Sequence, residues 1–326
     1  MSEPNLKARL LFLIVRDFPN KKKGIRADVF LAAQDALPSR SQLKRWFSDG
    51  LVTRRGIALG PADILHLGDE ISIAIPDLRP AKLEARELPL KIYFEDESLI
   101  VLYKPRGISM HPGATKDDRT TLVHALLHHS NSLSDKSGEF RPGIVHRLDK
   151  DTEGLVVVAK NNEVHEDLSQ QFSKRSIKRA YWALCAGKTL PKFEVEASIG
   201  RDPRNRKRMA VVRSGGREAR TSFETLESYL EGYSWIKCKL HTGRTHQIRV
   251  HLSHKGHPIL NDPVYGKAQK RISLSDEKTK CLEGLEGQCL MAYELGFVHP
   301  VSGKEIHFEL NPKKEMPSWL KILTNN

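Results

Sequence analysis

The densest run of reactive side chains is PGIVHRLDKDTEGLVVVAK, from Pro142 to Lys160. Asp149 stands just ahead of an apolar, strand-like stretch that begins near Gly154. A carboxylate at the entrance to a strand is held oriented and partly buried, as a nucleophile or general base must be. Taken by itself, Leu-Asp-Lys-Asp reads more simply as a turn or a capping aspartate. Asp149 and Asp151 also fit the carboxylate pair of glycoside hydrolysis, because residues two apart in an extended segment share a face. The segment alone leaves these readings open.

A second cluster is LHTGRTHQIRVHLSHKGHP, from Leu240 to Pro258. Gly243 marks a turn, and Thr245 is placed to cap a helix carrying Ile248 and Leu252 on one face. Arg249 projects near that helix start. An arginine close to a carboxylate favours its charged form, which a nucleophile requires; the plainer roles for Arg249 are a structural ion pair or a phosphate contact. His241, His246, His251, His254 and His257 invite a zinc reading, but no HExxH pattern or acidic third ligand accompanies them, so no metal is expected. Tyr181, in KRAYWALCAG, opens an expected strand. A tyrosine there is ordinarily a packing residue and gains chemical meaning only beside Asp149.

Two sets of elements must position these groups. In residues 24–76, Asp28 precedes a helical stretch, VFLAAQDAL, which Pro38 interrupts. Ser39 or Ser41 then caps a second helix through QLKRWFSDG, and Gly50 ends it. LVTRRGIAL and ISIAIP follow as strands around a Gly68–Asp69 turn. Lys44, Arg45, Arg54 and Arg55 fall outside the apolar pattern. Residues 1–23 are set apart as an extension, in which Leu10 to Val15 reads as a buried strand or helix turn. Residues 77–89, rich in proline and mixed charge, read as a linker. From residue 90 to 326, strand-like runs (LKIYF, SLIVLYK, GLVVVAK, AYWALCAG, WIKCKL) alternate with helical segments at Thr120–His129 and Asn161–Ser173. Their irregular order indicates an α+β domain with a mixed, largely antiparallel sheet.

The chain has 326 residues and a net charge of +13, concentrated in two places. Lys21 to Arg55 holds nine basic and three acidic residues, and Arg201 to Arg220 eight and two. Concentrated positive charge is the footprint of a polyanion-binding protein, and no amphipathic anchor points instead to a membrane. Four cysteines without a CxxC pair argue against a disulfide framework. With no apolar run near the roughly 20 residues that cross a bilayer, and none resembling a signal peptide, a cytoplasmic location is expected.

HRLDKDTEGL resembles the HRLDxDTSGL signature of the RluA-type pseudouridine synthases. That family's other markers follow the same order: KPRGISMHPG (Lys104–Gly113), KRAYWALCAG, TGRTHQIRVHLSHKGHPILNDPVYG (Thr242–Gly266) and LMAYELGFVHP (Leu290–Pro300). The resemblance covers roughly residues 90–310. Residues 24–76 resemble an S4 RNA-binding domain through Ser39–Arg40, Gly50–Val52 and Gly68–Ile71, although Arg54–Arg55–Gly56 stands where Val-Asn-Gly is usual. Glu153 likewise replaces a usual serine or threonine, so altered local hydrogen bonding is expected with activity retained. The resemblance implies isomerisation of uridine to pseudouridine without a cofactor, on structured RNA. Large-subunit ribosomal RNA is the expected target, transfer RNA the second, and a monomer is the expected state. A non-catalytic RNA-binding assembly factor is the alternative. Asp149 would be the nucleophile, Arg249 its partner and Tyr181 the residue against the base. Arg147 would fill the gap left by the flipped uridine. His146 and Arg244 would assist RNA binding, together with Lys44, Arg45, Arg54 and Arg55 of the smaller domain.

Overall fold

The computed structural model describes residues 9–16, 24–34, 37, 40–75, 83–112, 119–138, 140–205, 208–266, 272–311 and 314–324, without the side chains of Arg9, Arg40, Ser41, Gln42 and Arg45. Lys21–Lys23, the Ser39 and Ser41 caps, the Arg45 side chain, Pro76, residues 77–82 of the expected linker, and Arg206 and Lys207 lie outside that description. The chain divides into two compact units, Met1–Lys82 and Leu83–Asn326.

The smaller unit contains β1 (Arg9–Ile14), β2 (Ile25–Arg26), α1 (Ala27–Ala32), α2 (Arg40–Ser48), β3 (Val52–Arg54), β4 (Ile57–Ala58), β5 (Ile64–Leu65) and β6 (Glu70–Ile75). Leu31, Leu43, Trp46, Phe47, Val52, Ile71 and Ile73 form its core. Residues 9–16, set apart in the sequence reading, belong to this fold: β1 runs antiparallel to β6 and completes the sheet β1-β6-β3-β4. Its burial also differs from expectation. Leu10, Phe12 and Ile14 are 60%, 68% and 49% exposed, while Leu11 and Leu13 pack on the core. An edge strand covered on one face buries only alternate residues, and a run that is apolar on both faces hides that alternation.

The larger unit contains β7 (Lys91–Glu95), β8 (Leu99–Lys104), α3 (Leu122–His129), β9 (Glu153–Ala159), α4 (Asn162–Lys174), β10 (Lys178–Ala186), β11 (Lys192–Glu196), β12 (Ile199–Arg201) and β13 (Met209–Val211). It continues through β14 (Arg220–Tyr229), β15 (Tyr233–Leu240), α5 (Gln247–His254), α6 (Asp276–Glu283), β16 (Leu290–Val298), β17 (Glu305–Glu309) and α7 (Ser318–Thr324). The main sheet has the order β11-β14-β15-β10-β16-β9-β8-β7, with β17 beside β16. Its pairs are antiparallel except β16 with β9. This is the mixed, largely antiparallel α+β architecture expected from the alternating runs.

The continuous apolar composition of β8 and β9 reflects burial on both faces: every residue of β9 is buried. Each large aliphatic side chain so placed contributes about 1.5–3 kcal/mol. Leu122, Val123 and Leu126 of α3, Val164 and Leu168 of α4, and Trp319, Leu320 and Leu323 of α7 join the same core. Asn161 caps α4 by accepting from the Val164 amide at 2.9 Å, and Arg175 closes that helix in the left-handed region. The β9–β16 contact leaves no room for a side chain at residue 154. Gly154 has φ +124°, and a Cβ there would lie 2.0 Å from the carbonyl oxygen of Ala292. The strand leading from Asp149 is thereby pinned against the middle of the sheet.

Candidate active site

Asp149 begins a tight turn into β9, its carbonyl accepting from the Thr152 amide at 3.1 Å. The approach to this turn folds back along β9. Ile144 bridges Val158, and the Val157 amide donates to Nε2 of His146 at 3.0 Å. The His146 ring stacks on Phe172 with centroids 4.7 Å apart. Burial, reinforced by the Arg179 charge, drives the His146 pKa down to about 3, so its imidazole is neutral. His146 lines the cavity, but its ring is engaged in holding the turn.

Lys104, the last residue of β8, holds the other side of the turn. Its buried Nζ donates to the carbonyls of Pro105, Ile108 and Lys150 at 2.8, 2.8 and 2.9 Å. Three acceptors match the three protons of an ammonium. Burial nevertheless pulls its pKa down to about 7, against the opposing charges of Asp151, Glu153 and Asp149. Thr152 is fixed by Gln288, whose amide donates to its hydroxyl at 2.8 Å.

Arg249 comes from α5. The start of that helix is set by Gln247, whose buried amide accepts from Thr242 and the Arg244 amide and donates to the Arg220 carbonyl and the Thr221 hydroxyl. Thr245 is not the cap: His246 occupies that position in the left-handed region, with no side-chain capping bond. From this frame Arg249 Nη1 donates to Asp149 Oδ2 at 2.9 Å. Nε and Nη2 of the same guanidinium grip Asp262 at 2.7 and 2.9 Å. Asp262 is fully buried and also accepts the amides of Val264 and Tyr265. Burial works against the Arg249 charge, but the Asp262 hydrogen bond and the two carboxylate charges outweigh it and raise the pKa. The Arg249 side chain is 5% exposed and that of Asp149 18%. Asp149 is thus the open end of an otherwise buried carboxylate–guanidinium–carboxylate chain.

These groups line a cleft of about 510 Å³, with Tyr181 of β10, Arg147 and Arg244 also on its walls. Tyr181 is 6% exposed. Burial raises its phenol pKa, with the Asp149 charge adding and Arg179 opposing. Arg147 is exposed, and the Nε of Arg244 donates to the Glu218 carbonyl at 2.9 Å. His246 lies at the same wall, its Nε2 3.8 Å from Asp149 Oδ1. Asp151 does not line this cleft; it packs instead against Gly287. That arrangement removes the basis for an Asp149–Asp151 acid/base pair.

Glu153 occupies a buried site of its own. It accepts from Tyr103 at 2.7 Å, Arg106 at 2.9 Å and Trp319 at 2.6 Å. Arg106 also donates to the carbonyls of Glu286 and Gln288. The expected change in local hydrogen bonding at this position therefore takes the form of an anionic hub that ties α7 and the 286–288 segment to the start of β9.

The histidines that suggested zinc serve separate bonds. His241 contacts Ser222, His251 contacts Thr221 and the Ala197 carbonyl, and His257 contacts the Ala186 carbonyl. Among the described residues no group of three or more His, Cys, Asp or Glu could hold a metal. In the smaller unit Arg54 is paired with Asp69 at 2.9 Å, while Lys44 and Arg55 are exposed. Sequence reasoning missed Asp262 and Lys104, although they lie inside the Thr242–Gly266 and Lys104–Gly113 motifs.

The family model for RNA pseudouridylate synthase matches residues 98–254. The chain is 42% identical to ribosomal large subunit pseudouridine synthase D of Zymomonas mobilis, over 92% of this chain and 94% of that protein. It is 38% identical to an uncharacterized RNA pseudouridine synthase of Bacillus subtilis, over 94% and 96% of the two chains. Its fold resembles that of human RNA pseudouridylate synthase domain containing 1, with a TM-score of 0.55 and 24% identity, over 75% of this chain and 90% of that one.

Proposed function

The chain belongs to the RNA pseudouridylate synthase family, and from that premise we propose that it isomerises defined uridines of large-subunit ribosomal RNA, with Asp149 as the reacting carboxylate. The RNA target rests on relatives about 40% identical over most of the chain that are named ribosomal large subunit pseudouridine synthase D. The observation that carries the site assignment is the Asp149–Arg249–Asp262 chain, which offers one carboxylate to a cleft of suitable size and keeps its partner arginine buried.

The reaction breaks the bond from ribose C1′ to base N1, turns the base, and joins C1′ to C5. The C5 hydrogen leaves as a proton and N1 gains one, so no electron acceptor is required. Asp149 assists departure of the base from C1′ and holds the sugar while the base turns. Arg249 cannot swing away with it, because two of its donors are committed to Asp262; the carboxylate keeps one orientation through the reaction. Tyr181 stands against the base and excludes water. Arg147, exposed at the cleft, fills the gap left in the RNA when the uridine is flipped out, a step that costs a few kcal/mol. His146 and Lys104 keep the Asp149 turn in place, and Arg244 contacts phosphate.

The smaller unit acts as an S4-like module that grips structured RNA by phosphate and shape, with Lys44 and Arg55 as its exposed contacts and Arg45 as a further one. Arg54 supports the strand tip through Asp69. Cytoplasmic location and action as a monomer complete the reading; among the described residues no helix is long and apolar enough to cross a membrane. Pseudouridine mapping of total RNA from cells with and without the gene tests it. Defined ribosomal sites should disappear and return with the wild type but not with Asp149→Ala. Loss confined to transfer RNA would move the target, and no loss at all would favour a non-catalytic assembly factor.

A further inference from the structure

Four guanidinium groups from four segments line the same cleft as Asp149: Arg175 just after α4, Arg179 in β10, Arg217 ahead of β14, and Arg244 ahead of α5. Buried or crowded cations in proteins are normally paired with carboxylates. Among the described residues these are not. Arg175, Arg179 and Arg217 have no ion pair; Arg175 and Arg217 are exposed, whereas the buried Nε of Arg179 has no hydrogen-bond partner. The Arg179 guanidinium lies over the Phe172 ring at 5.1 Å. Residue 243 is a glycine whose Cβ position would be 3.3 Å from Arg179 Nη1, so the backbone there makes room for the guanidinium. Arg244 spends only Nε, on the Glu218 carbonyl. Burial lowers its pKa, and the charges of Arg217 and Arg175 lower it further against the opposing charge of Glu218, which places like charges close together. A cleft lined by charge of one sign focuses the field and concentrates a ligand of the opposite sign.

We propose that Arg175, Arg179, Arg217 and Arg244 form a seat for an RNA phosphodiester next to the target uridine, an assignment that rests on the synthase reading of the cleft. A phosphodiester presents two unesterified oxygens, each able to accept from more than one guanidinium, and planar forks suit that geometry. Anchoring the backbone beside the flipped nucleotide would hold the ribose over Asp149 while the base is free to turn. These arginines touch the backbone and not the reacting atoms, so they are binding residues.

The test uses the full chain and an unmodified transcript of large-subunit ribosomal RNA, with Arg179→Gln and the double variant Arg175→Gln/Arg217→Gln. Among the described residues Arg175 and Arg217 have no ion pair or side-chain hydrogen bond to lose, and both are exposed, so the double variant should fold as the wild type does. RNA dissociation constants should rise roughly tenfold to a hundredfold. The slope of log K against log salt should become shallower by about 1, and KM should rise more than kcat falls. Arg179→Lys should recover the salt slope without the full affinity, because the bidentate fork is gone. Unchanged affinity and salt slope in both variants, with wild-type turnover intact, would overturn the seat alone. A wild-type protein that forms no pseudouridine in this transcript or in total RNA would overturn the synthase reading and the seat with it. Thermal destabilisation of Arg179→Gln at an unchanged salt slope would make Arg179 a structural residue.

Discussion

Asp262→Asn tests whether the buried carboxylate sets the geometry of Arg249. Oδ1 of Asp262 accepts from Arg249 Nη2 and from the amides of Val264 and Tyr265, while Oδ2 accepts from Arg249 Nε. Asparagine has one oxygen. If that oxygen stays on the two amides, its NH2 group faces Nε, donor against donor. Turning the amide moves the clash to the backbone. Either way a buried guanidinium loses its principal counter-charge, and breaking a buried pair by removing one partner costs about 3–5 kcal/mol. For a unit of this size that corresponds to a fall of roughly 6–20 °C in the unfolding midpoint. Asp149→Asn is the matched control. Arg249 keeps both bonds to Asp262, the amide can still accept from Nη1, and the site is partly open, so the loss should be about 1 kcal/mol or less. Calorimetry of the two full-length variants reads the difference, and turnover should collapse in both. An Asp262→Asn protein within about 1 kcal/mol of wild type would refute the view that Arg249 is held from behind.

Glu153→Ser restores the residue type more usual in the family, yet it should destabilise this chain by about 3–5 kcal/mol, because Tyr103, Arg106 and Trp319 lose a shared buried acceptor; chemical denaturation monitored by Trp fluorescence checks it, and a neutral result would dissolve the hub. Gly154→Ala should cost more than about 4 kcal/mol or prevent folding, since the added Cβ meets the Ala292 carbonyl and the backbone is left-handed there; a soluble, active variant would contradict the pinned strand. Lys104 gives a pH signature. Folded, it releases its proton near pH 7, whereas an unfolded lysine holds on to about 10.4. The unfolded chain therefore binds more protons between these values, and the folding penalty from burying the charge is present below about pH 7 and fades as pH rises through the window. Relative to Lys104→Met, wild-type stability should climb by up to about 1.4 kcal/mol per pH unit above pH 7. Parallel stability curves for the two proteins would show that Lys104 does not titrate there.

The strands of the larger unit were legible because burial on both faces leaves a continuous apolar run, as in β9, and a run that long between turn residues has few alternatives. The same reasoning misjudged β1. A short segment apolar on both faces looks buried whether it is central or at an edge, and only the β6 pairing decides. Helix ends were legible where a side chain does the capping, as Asn161 does for α4. At α5 the cap is a backbone conformation at His246, stabilised by the Gln247 amide network, and residue type carries no clear sign of it. Asp149, Tyr181 and Arg249 could be nominated from their motifs, and they line one cleft although Asp149 and Arg249 are 100 positions apart. Asp262 and the three-carbonyl site of Lys104 could not, because their meaning depends on what each buried polar group has left over. Glu153 shows the reverse case. The departure was visible in the sequence, while its four-segment hub depends on Trp319, 166 positions away.

The most direct test of the central claim is tritium release from unmodified large-subunit ribosomal RNA carrying tritium at uridine C5, with the full-length protein and Asp149→Ala side by side. Joining C1′ to C5 expels the C5 hydrogen, so wild type should release tritium to water in step with pseudouridine formed, free no uracil, and lose this activity entirely in Asp149→Ala. Release of uracil, or undiminished tritium release by Asp149→Ala, would contradict the account.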